Sequence, residues 1–453
     1  MSNNLKEKYG LPTAIAMVIG IVIGSGVFFK AEKILGATGG NLPLGILAWI
    51  IGGLIMVMCA YAFSIMATQY SYVNGIVDYS EVACGKKYGY LVGWFMTTIY
   101  YPSLTSVLAW LCARYVCVIA GIDITSGTCM VLSLLFLVGS YAVNALSPIL
   151  AGKLQVATTV IKLIPLLLMA VVGTVVGFAN GLTMENFTTV VEKVNTGNAL
   201  FTAVVATAFA YEGWIIATSI NAELKDAKRN LPKALTLGTL IVVAVYILYY
   251  IGLAGGVSNE IMMEGGQTGA KLAFEAVFSK VGAVALFVFI VISCMGTLNG
   301  LMLACVRGLY SLASRDIGPL PRMFKQVDPV TNIPTNSSIV GLLLAAVWLV
   351  YFFGANLVGP WFGPFSFDSS ELPIVTIYAL YIPIFLFMYR NKNVSFMKRF
   401  IAPTLALCGS AFMIVAACFA HKMAVVYYLI IFAIIMLVGL IWINPTKQSP
   451  LSE

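Results

Sequence analysis

The sequence predicts an all-α polytopic membrane protein of twelve transmembrane helices, with the first and sixth interrupted near their middles. Three observations carry this. Of the 453 residues, 60% are hydrophobic and 10% are charged, with a mean hydropathy of +0.95, whereas soluble domains carry about 25% charged residues. Twelve apolar runs reach the ~20 residues a helix needs to cross a bilayer. Glycine-bearing polar steps interrupt two of these runs, at Gly24-Ser25-Gly26 and at Tyr211-Glu212-Gly213.

The elements follow in order. Residues 1–10 hold Lys6, Glu7 and Lys8 before the first apolar run and read as a short cytoplasmic tail. The length of that run and the lack of a small-residue cleavage site argue against a cleaved signal peptide. Spans are expected at about 11–36, 42–69, 88–119, 127–147, 153–178, 199–221, 233–256, 281–312, 336–354, 371–390, 399–420 and 423–443, with a polar tail at 444–453. Loops are short, except for the amphipathic stretch from Ser258 to Lys280 and the polar stretch from Ala313 to Asn336.

Basic residues fix the orientation, because they accumulate on the cytoplasmic side. With the N-terminus inside, eighteen lie on inner segments and six on outer ones, namely Lys30, Lys33, Lys193, Lys271, Lys280 and Lys422. Both termini are therefore expected in the cytoplasm. The net charge of +8 is a topology signal, and no nucleic-acid partner is implied. The nine cysteines are scattered singly with no C-x-x-C pair, so neither a disulfide framework nor a metal site is expected. The single histidine, His421, is expected in a short loop, which excludes a histidine cluster. No cofactor and no catalytic residue are expected.

The first break, Val22-Ile23-Gly24-Ser25-Gly26-Val27-Phe28, lies in a segment uncharged from Leu11 to Phe29. Glycine costs about 1 kcal/mol relative to alanine in a helix. In lipid, opened backbone is tolerated only where it is buried in protein or lines a cavity. A break there would turn bare N–H groups and a positive dipole end toward an anion. A small-residue patch for close helix packing is the alternative reading. The second break, Phe209-Ala210-Tyr211-Glu212-Gly213-Trp214, lies five spans on in a helix of opposite direction. Such paired interruptions point to an inverted-repeat transporter with its site at the midplane. Residues 11–178 and 199–390 would form the two five-span repeats, and 399–443 two appended helices. The halves share no residue-level similarity, so the repeat is inferred from the breaks alone.

Lys162 is the only charge between Leu154 and Phe178. Eight residues at 1.5 Å place it about 12 Å inside a ~30 Å core. A charge there costs at least ~2.5 kcal/mol and usually faces an ion or substrate path. A fixed ammonium could stand where other broken-helix transporters bind sodium, bridging the first helix to the eighth. Glu212, inside the second break, could be a proton site, a cap for freed N–H groups, or a partner for a tyrosine. Phe209 and Trp214 flank that break and could close over a substrate or simply pack. Arg114, near the outer end of the third span, is expected to snorkel to the interface. Ser293, in the polar run Ser293-Cys294-Met295-Gly296-Thr297-Leu298-Asn299-Gly300 of the eighth span, is a candidate partner for Lys162.

These residues carry a resemblance over nearly the whole chain. Ile23-Gly24-Ser25-Gly26-Val27-Phe28, Phe209-Ala210-Tyr211 with Gly213-Trp214, and Arg229-Asn230-Leu231-Pro232 contribute to it. Ser293-Cys294, Gly296, Asn299-Gly300, and Ser314-Arg315-Asp316 with Leu320-Pro321 complete it. In this ordered set the chain resembles the L-amino acid transporter family of the amino acid–polyamine–organocation superfamily, which has a LeuT-like 5+5 inverted-repeat fold. Among bacterial members it is similar to alanine–serine–cysteine exchangers. The resemblance implies that the substrate carboxylate meets the N–H groups of Ser25 and Gly26. It implies that the ammonium meets carbonyls at Val22, Phe209 and Glu212, with Gly24 and Ala210 completing the substrate-binding set. It also implies that Phe209 is the external gate and that Lys162 links the first helix near Gly26 to Ser293.

Two departures stand out. Many family members have a second glycine where this chain has Glu212. Animal members join a glycoprotein through a cysteine after the third span, but the loop from Gly121 to Thr128 has none, and Cys129 begins the fourth span. No covalent heavy subunit is expected, and the chain is expected to work as a monomer in membrane lipid. The function expected is sodium-independent exchange of small neutral L-amino acids (alanine, serine, cysteine) in the cell membrane, with proton-coupled symport as the alternative. A channel or receptor lacks an obvious filter or signalling domain here. A membrane enzyme lacks any Walker-type loop, H-E-x-x-H or G-x-S-x-G pattern.

Overall fold

The structure, a computed structural model, describes residues 10–70, 75–218, 224–265, 268–331, 333–392 and 394–443. Most of both expected tails and the end of the sixth span at 219–221 lie outside the described residues. Eight helices are long and apolar enough to cross a membrane, and two bent helix pairs each make one further span. Two shorter apolar helices, Thr196–Ala210 and Leu372–Met388, bring the described set to the expected twelve. The first span is the pair Leu11–Val22 and Gly26–Ala37, bent by 55°. The chain folds as two compact units, with the fifth, eighth and tenth spans each passing from one to the other.

The first unit comprises Met1–Tyr79, Lys162–Phe289 and Val375–Ala420. Its second span, Leu42–Gln69, starts at Asn41, whose side chain accepts the Leu44 N–H at 2.9 Å, the capping bond that a helix start favours. The fifth span differs from the uninterrupted helix expected over 153–178. One helix ends at Ile161 and another begins at Leu163, because Pro165 has no N–H to give the Ile161 carbonyl. Beyond Ala179 the chain turns by 87° at Gly181 into a short helix, Leu182–Thr188, that hydropathy did not reveal. The seventh span, Ala227–Ala254, presses Gly252 and Gly255 onto the backbone of Met169 and Gly173. Trp214 is fully buried among Phe63 and Tyr381, with ring centroids at 5.5 and 5.6 Å. It therefore packs in the core of this unit.

The second unit comprises Ser80–Ile161, Ile290–Ile374 and His421–Glu453. Its third span, Lys86–Ala120, is buried over most of its length and ends at Gly121 in the left-handed conformation (φ 68°). Arg114 corrects the sequence reading. It is fully buried, with its guanidinium 5.7 Å from the Trp110 ring, 5.0 Å from the Tyr115 ring, and 3.3 Å from the Tyr115 hydroxyl. A planar, weakly hydrated guanidinium is held by stacked aromatic faces, which removes the need to snorkel. His421 is a second correction: it is the last residue of the helix Met397–His421 and not a loop residue, and its ring lies 3.1 Å from the buried Glu371 carboxylate. The fourth span, Gly127–Leu146, is capped by Ser126, which accepts the Cys129 N–H at 3.2 Å. Asn144 donates to the Asn299 side chain at 2.9 Å, and Asn299 donates to the Ala151 carbonyl at 3.0 Å. These bonds join the fourth, fifth and eighth spans. Trp94 and Tyr90 donate to the Ile435 and Gly439 carbonyls, each at 2.9 Å, and so hold the last span, Met423–Ile441.

Candidate functional site

The first helix opens where the sequence placed the break. Ile23 is extended (φ −67°, ψ 104°), its N–H is the last to bond back, to Ile19 at 2.9 Å, and helix resumes at Gly26. Ending a helix at Val22 releases the carbonyls of its final turn, and each released carbonyl has a neighbour in the first unit. The Lys162 ammonium donates to Gly20 O. The Ile21 carbonyl faces Gly213, where a Cβ would stand 3.3 Å from it. The Tyr246 hydroxyl reaches Val22 O at 3.4 Å. A helix C-terminus carries about half a negative charge and attracts cations, so a buried ammonium at Gly20 is electrostatically favourable there.

The second break is pressed against the first. The helix Thr196–Ala210 ends, residues 211–213 form a turn, and Gly213 takes φ 105°, a conformation that favours glycine. A Cβ on Gly26 would stand 2.7 Å from the Ala210 Cα and 3.0 Å from the Phe209 carbonyl oxygen. Backbone thus meets backbone at the crossing of the two broken helices. The Tyr246 hydroxyl, 3.1 Å from Ala210 O, shares its proton between Ala210 O and Val22 O. Tyr211 stacks on Tyr246 at 5.3 Å and donates to the Trp49 carbonyl at 2.9 Å. This places both rings.

Of the residues the sequence singled out, the structure brings Val22, Gly26, Phe209, Ala210 and Lys162 to these two breaks. Gly24 is half-buried in the first turn. Ser25 is buried, and its hydroxyl has no hydrogen-bond partner among the described residues. Its backbone N–H has no backbone acceptor among them, and Gly26 opens the second half-helix, whose first amides have no partner in their own helix. Glu212 is half-buried in the second turn. The lysine contact departs from the expectation, because the bond formed is to Gly20 and not near Gly26. Ser293 belongs to the second unit, where its hydroxyl is buried without a partner among the described residues.

Sequence reasoning missed Tyr246 and misplaced Lys30. Tyr246, Tyr249 and Tyr250 recur at helical spacing in the seventh span, and that row of phenols on one face was the available signal. Lys30 was counted as an outer-loop charge, yet it is fully buried, with its ammonium 5.3 Å from the Phe209 ring and 4.8 Å from the Phe29 ring. Among the described residues no group of three or more His, Cys, Asp and Glu could hold a metal ion.

Replacing Tyr246 by Phe tests the bridge between the breaks. Exchange is expected to slow several-fold, consistent with losing a buried hydrogen bond of about 1 kcal/mol, while thermal stability in detergent changes little. Unchanged turnover would show that the hydroxyl is only a packing group.

Comparison with known proteins agrees with this geometry. The chain is 28% identical over 420 residues to the serine/threonine exchanger SteT of Bacillus subtilis (strain 168), covering 91% of each protein. It is 25% identical over 403 residues to the mouse b(0,+)-type amino acid transporter 1, covering 84% of this chain and 81% of the relative. It is 22% identical over 343 residues to the human cystine/glutamate transporter, covering 74% and 66% respectively. Residues 9–441 match the amino acid permease family. With twelve helices, the first and sixth broken, and motifs of the L-amino acid transporter type, this chain belongs to the amino acid permease family, multi-pass membrane proteins of LeuT-like fold.

Proposed function

We propose that the protein exchanges small neutral L-amino acids such as alanine, serine and cysteine across the cell membrane by alternating access, without sodium. The observation that carries this reading is the pair of broken helices meeting at Gly26 and Ala210. At such a crossing, the amides of Ser25 and Gly26 form a positive helix end for a carboxylate. Carbonyls at Val22, Phe209 and Glu212 stand for the ammonium, with Gly24 lending its flexibility to the turn. The Val22 carbonyl then shares its two lone pairs between the substrate and Tyr246. Small side chains follow from Gly24, Ser25, Gly26 and Ala210, and the Bacillus relative named for serine and threonine exchange supports that size class.

Lys162 supports sodium independence. Its ammonium already covers the negative end of Leu11–Val22, the kind of end that coordinates a cation in broken-helix transporters. Two five-span repeats over 11–178 and 199–390, cytoplasmic termini, and a monomer working without a covalent heavy subunit belong to the same reading.

Radiolabelled alanine uptake into proteoliposomes tests it. Uptake is expected only when amino acid is preloaded inside, with no sodium requirement. Strong uptake into empty vesicles would count against exchange. A second reading, proton-coupled uptake, draws on the placement of Glu212 inside the break, and it predicts accumulation driven by a pH gradient alone. Phe209→Ala is expected to lower turnover through poorer gating, and wild-type kinetics would remove the ring from that role.

A further inference from the structure

We propose that Lys30 is a positioning residue for the gate, holding the Phe209 ring by its aromatic face. This rests on the reading of Phe209 as a gate. Gly26, Phe29 and Lys30 lie three and four residues apart, so they share one face of the half-helix Gly26–Ala37. All three meet Phe209. Gly26 abuts its backbone, Phe29 sets an edge-to-face contact at 6.0 Å and 83°, and the Lys30 ammonium stands 5.3 Å from the ring centroid. A cation within about 6 Å of a ring is attracted to it, and the attraction is strongest where both are desolvated. Lys30 is fully buried, so the contact is of the strong kind. A lysine buried at this depth is otherwise unfavourable, and the pair of phenylalanine faces offsets part of that penalty. The backbone of Phe209 is thus fixed by a glycine and its ring by a charge from the same helix face. When that half-helix moves, the ring moves with it.

The experiment measures alanine exchange in proteoliposomes for Lys30→Met, Lys30→Arg, Phe209→Leu and the Lys30→Met/Phe209→Leu double variant. Lys30→Met is expected to raise KM about tenfold with a smaller change in kcat, and Lys30→Arg to stay within about twofold of wild type. In the Phe209→Leu background, Lys30→Met should add nothing further. An undiminished effect there, or a wild-type KM for Lys30→Met, overturns the proposal. Should Lys30→Met not fold, fluorinated phenylalanines at position 209 leave the lysine in place and drain electron density from the ring. KM should then rise with each added fluorine, and a flat series overturns the proposal. Phe209→Leu with wild-type kinetics overturns the gate itself. An impaired Phe209→Leu with a flat fluorine series leaves the gate standing and removes only Lys30.

Discussion

Gly26→Ala is expected to lower exchange at least tenfold while leaving a folded protein in detergent. The added methyl would stand 2.7 Å from the Ala210 Cα and 3.0 Å from the Phe209 carbonyl oxygen. Both are backbone atoms, so no side-chain rotation relieves the clash. Overpacking of this kind costs about 1–3 kcal/mol, and the two broken helices must separate to accept it. The separation falls on the amides of Ser25 and Gly26 and on the hydroxyl bridge from Tyr246, so substrate binding suffers more than overall stability. Gly36 sits in the same half-helix with open space where its Cβ would be and serves as the control. Gly36→Ala should exchange like wild type. Equal losses in the two variants would mean that the half-helix is sensitive to any added methyl, and the crossing would lose its special status.

Lys162→Ala is the second large effect, with transport falling by at least tenfold and the folded fraction nearly preserved. Two consequences combine. The Gly20 carbonyl loses its donor, and a buried polar group left unpaired costs about 1–3 kcal/mol. The end of Leu11–Val22 also loses the cation that complements its partial negative charge. A site vacated by an ammonium is attractive to another cation, so the variant should be assayed with and without sodium. Partial recovery in sodium would place the lysine at a surrogate cation position. Equal loss of transport and of folded protein on size-exclusion chromatography would instead make it a structural residue.

Much of this was legible in the chain because the bilayer simplifies the physics. Apolar length reports spans, and glycine with polar neighbours reports where backbone opens, so the breaks at Gly24-Ser25-Gly26 and Tyr211-Glu212-Gly213 could be read directly. Lys162 stood out because a charge so far from either interface requires a partner. Its actual acceptor, Gly20, could not be read, since it depends on which carbonyls the ending helix releases. Arg114 and Lys30 misled for a shared reason. Position along a helix suggested an interface, but aromatic neighbours from the fold (Trp110 and Tyr115 for one, Phe29 and Phe209 for the other) supply the environment that water would have supplied. The turn from Ala179 into Leu182–Thr188 escaped because a seven-residue helix carries too little periodicity to register.

The burial of Arg114 also bears on how the protein matures. A lone helix carrying arginine at that depth is unfavourable in lipid by at least ~2.5 kcal/mol. The third span is buried over most of its length, whereas the last span is largely exposed. Part of its cover is the ninth span, Thr335–Leu357, where Trp348 donates to the Thr98 carbonyl at 3.0 Å and Phe352 packs on Trp110 at 5.2 Å. The ribosome makes that cover long after the third span is complete. The nascent third span is therefore expected to stay without part of its cover until the ninth emerges, and truncation before Thr335 should leave it exposed to membrane proteases.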